Sequence, residues 1–90
     1  MAGSGKFQTA QSAEGHDRAA AALRVLGHVI KDRRVELGLS QEELASRSDL
    51  HRTYISHLER SERNIAFMNL CRIAWALELT CSELVDRCEP

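Results

Sequence analysis

The chain reads as an all-α domain of five helices, and three observations predict it. Apolar residues recur at three- and four-residue spacing, as in Leu26, Ile30 and Leu37 or Leu70, Ile73, Ala74 and Leu77, which stripes one side of a helix. Ser40 with Glu43 and Thr80 with Glu83 are capping boxes that mark helix starts. No segment alternates apolar and polar residues as a half-buried strand would, none repeats another, and the one Pro is the last of 90 residues.

Residues 1–16 are small, polar and rich in Gly and Ser, so a disordered amino-terminal arm is expected, followed by one domain over residues 17–88. An arm that enters a minor groove needs Arg or Lys, and this one has only Lys6. The first helix is predicted from Asp17, a good N-cap, to Leu37, with Gly38 taking the left-handed position that closes it. Leu26, Ile30, Arg33 and Leu37 share its inner stripe, Arg33 laying its stem on the core edge and carrying its head to solvent. Gly27 inside this helix costs ~1 kcal/mol against Ala.

Ser40 opens the second helix, whose Leu44 and Ala45 face inward, the small Ala45 allowing a close crossing. A turn follows at Ser48, Asp49 and Leu50, where Asp49 tolerates positive φ at modest cost. Winding the third helix at about 100° per residue from Arg52 puts Arg52, Ser56, Arg60, Thr53 and His57 within an arc of about 140°. That arc holds no aliphatic residue, while Ile55 and Leu58 anchor the opposite side. A short helix, a tight turn and a second helix that is apolar behind and hydrogen-bonding in front make a helix-turn-helix, the geometry that reads a DNA major groove. His51 stands at the N-cap of that helix, where Asn, Asp or Ser would cap better. After the loop SERNIA, a fourth helix is expected over Phe67 to Glu78, and a fifth runs from the Thr80 cap to about Arg87 and buries Leu84.

GLSQEELA, DLHRTYISHLERSERNI and NLCRIAWALELTCSEL resemble the XRE, or Cro/cI-type, helix-turn-helix regulators, and HRTYISHLER with SERNI most resembles restriction–modification controller proteins. The likeness runs from about Leu26 to Val85. It implies a lambda-repressor-like five-helix fold and base contacts at Arg52 and Thr53, with backbone contacts at Arg60, Arg63 and Asn64. It also implies a partly buried ion pair between Arg34 and Glu59. The sequence departs from the family at Arg33, where an aliphatic residue is usual, at Ser61, where Gly or Asn is favoured, and at Ala66, where Ser or Thr caps the next helix. The last departure predicts a frayed start to the fourth helix.

Each candidate has a chemistry of its own. Arg52 can donate two parallel hydrogen bonds to guanine, and Thr53 can combine a methyl contact with a hydroxyl. Ser56 and His57 lie one turn further along the same arc, where they can join the base-reading set or contact phosphates instead. Gln41, with the backbone N–H groups opening the second helix, can hold a phosphate, as can the Tyr54 hydroxyl while its ring packs behind the helix. Arg60, Arg63 and Asn64 would set register and salt dependence without reading sequence.

Net charge is −1, so binding through bulk charge is excluded and specificity must come from placed contacts. Residues 24–63 carry eight basic and seven acidic side chains and residues 64–90 two and four, a weak polarity with the acidic end away from DNA. Cys71, Cys81 and Cys88 lack paired CxxC spacing and the four His are scattered, so no metal site is expected and the cysteines read as reduced, buried thiols. No cofactor, small-molecule ligand or membrane partner is expected, and the protein reads as cytoplasmic. Neither a Ser–His or Cys–His arrangement nor a phosphate loop is present, so it does not read as an enzyme.

With no room after the fifth helix for a ligand-binding domain, the expected unit is a homodimer on a pseudo-palindromic double-stranded operator. Trp75, Leu79, Cys81 and Val85 are the apolar residues assigned to the dimer contact. A phage- or plasmid-type repressor is the nearest alternative. An antitoxin-like interaction module is another, although it would place apolar residues on the outward arc of the third helix.

Overall fold

The computed structural model describes residues 13–88, which form five α-helices: α1 Ala13–Glu36, α2 Gln41–Ser48, α3 Arg52–Glu59, α4 Phe67–Ala76 and α5 Cys81–Cys88. No strand occurs among the described residues. The expected arm lies outside them up to residue 12, and α1 begins at Ala13 instead of Asp17. The alanines from Ala19 to Ala22 are strong helix formers, so propagation back through Asp17 costs little.

α1 packs on α3 and α5, α2 on α3 and α4, and α4 on α5. Ile30, Leu44, Ile55, Leu58, Ile73, Leu77 and Leu84 are fully buried where these helices meet, each contributing about 1.5–3 kcal/mol. Ala45 is buried as expected. Ser48, the one buried polar residue among those described, donates its hydroxyl to the carbonyls of Leu44 and Ala45 at 2.7 and 3.2 Å.

Both capping boxes form. Ser40 Oγ accepts from the Glu43 N–H at 3.0 Å while Glu43 accepts from the Ser40 N–H at 2.9 Å, and Thr80 and Glu83 do the same at 3.1 and 2.8 Å. The other two N-caps, His51 and Ala66, make no side-chain capping bond.

Four helices end the same way, on a residue with positive φ. Gly38 (φ 73°) follows α1, Asp49 (58°) α2, Ser61 (61°) α3 and Glu78 (61°) α4. After each, the next N–H returns to a carbonyl near the helix end: Leu39 to Arg34, Leu50 to Ala45, Glu62 to His57 and Leu79 to Ala74. Gly38 and Asp49 were expected in this conformation. Ser61 takes it despite its Cβ, with its hydroxyl donating to the Leu23 carbonyl at 3.3 Å. Glu78 takes it with no turn-forming residue type to announce it.

Four expectations need correction. Arg33 does not carry its head to open solvent: its Nε donates to the Leu77 carbonyl at 3.0 Å and its Nη1 pairs with Glu36, so it caps the end of α4. Leu79, assigned to a dimer surface, is only 7% exposed, because the return from Glu78 folds it into the core. Cys71 and Cys81 are not separate thiols but a disulfide between α4 and the first residue of α5, with Cα atoms 5.1 Å apart. That leaves Cys81 half-buried against α4 and not free to meet a partner. Cys88 keeps its thiol, which donates to the Leu84 carbonyl at 3.2 Å and is pushed up in pKa by burial.

Gly27 is buried where α1 passes the end of α3. A Cβ there would lie 2.7 Å from the Leu58 carbonyl oxygen and 2.9 Å from that of Glu59, closer than atoms allow. The residue that weakens α1 locally is the one that lets α3 approach it.

Candidate nucleic-acid interface

The α2–turn–α3 unit is fixed from behind by an ion pair. Arg34 on α1 donates from Nε to Glu59 Oε2 at 2.6 Å and from Nη2 to Oε1 at 2.9 Å, and its Nη1 holds the Leu39 carbonyl at 2.8 Å. The two side chains are 12% and 4% exposed, so the charges are largely withdrawn from water and each depends on the other. The hydrogen bond to Glu59 raises the Arg34 pKa above its ordinary value against the opposing effect of burial. Gln41, from the first turn of α2, also donates to Glu59 Oε1, at 3.0 Å. One N–H of the amide is thereby committed to the ion pair, and the other is left.

With its back secured, α3 presents Arg52 and Thr53 at its amino-terminal end, both exposed. Among the described residues neither finds a side-chain hydrogen bond or ion-pair partner. Ser56 and His57, one turn on, are half-buried. Arg60 and Asn64 are exposed, but Arg60 pairs with Glu62 at 3.1 Å, which neutralises part of its charge.

Arg63 and Tyr54 meet beside the start of α3. The Arg63 guanidinium lies over the Tyr54 ring, 5.4 Å from its centre, and both border an open cleft that His51, Thr53 and Asn69 also line. Asn69, on the first turn of α4, donates to the Tyr54 hydroxyl at 3.3 Å. Sequence reading did not single out Asn69, since a lone Asn two residues into an apolar helix carries no signal of its own. Of the predicted site residues, Arg52 and Thr53 form an exposed pair at the head of α3 and Tyr54 and Arg63 a cluster beside it, while Ser56 and His57 lie half-buried one turn on, Arg60 is paired with Glu62, Asn64 is exposed in the following loop and Gln41 is turned to Glu59.

On the opposite side of α4, Phe67, Met68 and Trp75 are exposed, Trp75 by 64%, and fall on one arc of the helix. Cys71 sits in the middle of that arc and meets Cys81, and Val85, one turn beyond Cys81 on α5, is also exposed. Among the described residues no group of three or more His, Cys, Asp or Glu side chains is placed to hold a metal, and no helix is long and apolar enough to cross a membrane.

Comparison with known proteins gives a consistent answer. The helix-turn-helix family matches residues 30–84, from the middle of α1 into α5. Control protein C.BamHI of Bacillus amyloliquefaciens is 48% identical over 48 residues, 53% of this chain and 59% of that protein, so the match spans under two-thirds of C.BamHI. Control protein C.SmaI of Serratia marcescens is 41% identical over 63 residues, covering 70% of this chain and 75% of that one. Among solved structures, the tetramer of the restriction–modification controller protein C.Esp1396I in complex with its natural 35 base-pair operator superposes with a TM-score of 0.66 at 37% identity, covering 77% of this chain and 96% of that one. Sequence, fold and the bracing of α3 agree: the chain belongs to the XRE-type helix-turn-helix family, among proteins similar to the restriction–modification controllers.

Proposed function

We propose that this protein is a sequence-specific DNA-binding transcriptional regulator that acts in the cytoplasm as a homodimer on a pseudo-palindromic operator and sets expression of a restriction–modification operon. The observation that carries it is the exposed, unengaged Arg52–Thr53 pair at the head of a helix whose far end is locked by Arg34 and Glu59. A buried ion pair that holds a helix while its polar face stays free suits a reader of base edges better than a protein-docking surface. The solved complex of C.Esp1396I with its operator supports the same reading.

Arg52 takes the guanine-reading role, with Thr53 beside it and Ser56 and His57 reaching in from the next turn. Tyr54, Arg63, Asn64 and, less freely, Arg60 engage phosphates and set register. Gln41 serves mainly by bracing Glu59, with its second N–H left for the backbone. A single domain of this size covers one half-site, so the second copy supplies the second. Trp75 and Val85, flanking the Cys71–Cys81 contact, form the apolar centre of the dimer surface, extended along α4 by Met68 and Phe67. Selection from a pool of random duplexes is the test. Enrichment of one palindromic sequence with two equal half-sites supports the reading, and failure to enrich any sequence overturns it.

A further inference from the structure

We infer that Asn69 is a positioning residue for DNA-backbone contact, acting through the Tyr54 hydroxyl; this rests on the DNA-binding reading above. A tyrosine hydroxyl has one proton to give and lone pairs to receive. The Asn69 amide, reaching across from α4, occupies a lone pair of Tyr54 at 3.3 Å. Among the described residues nothing accepts the Tyr54 proton, so it is left for an acceptor in the adjoining cleft. Arg63 lies over the ring of the same tyrosine and lines the same cleft, with His51 and Thr53 also on its wall. A donor hydroxyl beside a guanidinium, next to the end of α3 that presents Arg52, suits a phosphate oxygen of the strand whose bases α3 reads.

One further feature fits and one opposes. The first turn of α4, on which Asn69 sits, has no side-chain cap, because Ala66 has nothing to offer its N–H groups, so this corner is short of acceptors before DNA arrives. Asp49 also borders the cleft and is the one acidic side chain there. It opposes an anion in any register, so the phosphate contact is made against its repulsion. Asn69 itself touches no nucleotide. It holds the Tyr54 hydroxyl by a lone pair and leaves the proton for an acceptor in the cleft.

The test is a double-mutant cycle on the full chain, using the duplex enriched from the random pool and an unrelated duplex of equal length. Asn69→Leu and Tyr54→Phe should each weaken binding on the order of tenfold per half-site, by the same factor on both duplexes, because a phosphate contact carries no sequence information. In the Tyr54→Phe background, Asn69→Leu should have no further effect. Neither change should alter the salt slope, since no charge is removed, whereas Arg63→Ala should lower it by about one unit. Asp49→Asn, which keeps a residue tolerant of positive φ, should tighten both duplexes. Thermal melting separates misfolding from lost contact, and Asn69→Gln, which retains an amide donor, should recover part of the affinity if the variant's melting is unchanged. Unchanged affinity in Asn69→Leu, or an equal loss with and without the Tyr54 hydroxyl, overturns the inference while leaving DNA binding intact. A wild-type protein that binds neither duplex overturns both.

Discussion

Arg34 and Glu59 face each other as a two-pronged pair, Nε to Oε2 at 2.6 Å and Nη2 to Oε1 at 2.9 Å, joining the first helix to the last turn of α3. Removing one partner strands the other charge in a site that water barely reaches. Glu59→Ala should therefore cost about 3–5 kcal/mol, enough to unfold a domain this small at modest temperature. Chemical denaturation against wild type measures it, and an unchanged midpoint would show that the pair contributes nothing.

Gly27→Ala is a substitution that helix propensity favours by ~1 kcal/mol. The structure gives the opposite sign, because the added methyl would meet the Leu58 and Glu59 carbonyls at 2.7 and 2.9 Å. A net loss of about 1–3 kcal/mol is expected, together with weaker DNA binding as α3 is pushed off α1. A stabilised variant would mean that the two helices can part without penalty.

Glu78 and Ser61 hold left-handed backbone conformations that only Gly adopts without steric cost. Glu78 is exposed, with only a 3.7 Å contact to Arg47, so Glu78→Gly should stabilise by about 0.5–1 kcal/mol after allowing for the freer unfolded chain. Ser61→Gly also gives up the bond to the Leu23 carbonyl and should gain less. Melting temperatures of the two variants, measured side by side, test the ranking.

Acid should loosen the capping boxes. The Ser40 N–H bonded to Glu43, and the Thr80 N–H bonded to Glu83, hold both carboxyls below the ordinary value of 4.5. Because the folded-state value is depressed, the stabilisation is complete above 4.5 and fades as pH falls through the folded value. Glu43→Gln keeps a hydrogen-bonding group at that position but cannot titrate, so its melting temperature should fall less steeply than wild type between about pH 5 and pH 3. Parallel pH curves would remove Glu43 as a source of acid sensitivity.

Arg52 and Arg63 should separate reading from holding. Arg52→Ala is expected to lose discrimination at one base pair per half-site by about 1–3 kcal/mol, whereas Arg63→Ala should weaken every duplex alike. Affinities for a set of single-base operator variants distinguish the two patterns.

Much of this domain was legible before any coordinates, where a rule links neighbours in the chain. Ser40 with Glu43, Thr80 with Glu83, and the left-handed Gly38 and Asp49 all act within one turn of helix, so the sequence displays them directly. Arg34 with Glu59 was visible only through family resemblance, being 25 residues apart. What escaped were contacts between a side chain and distant backbone or an isolated partner: Arg33 on the Leu77 carbonyl, Gly27 under Leu58, and Asn69 on Tyr54. Every residue has a carbonyl, so nothing in the sequence marks which one will be held. Leu79 was misplaced for a related reason, since its burial depends on the positive φ of Glu78, a residue type that does not advertise turns.

Arg33 and Arg34 are consecutive residues that grip different helices, one the carbonyl end of α4 and the other the carboxylate end of α3. A single loosening of the last turn of α1 would release both at once. The helix that presents Arg52 and the helix that carries Trp75 are thus tied to one common point in α1. On the proposed reading, a weaker grip on the operator and a weaker pairing between copies would both follow from that one loosening of α1.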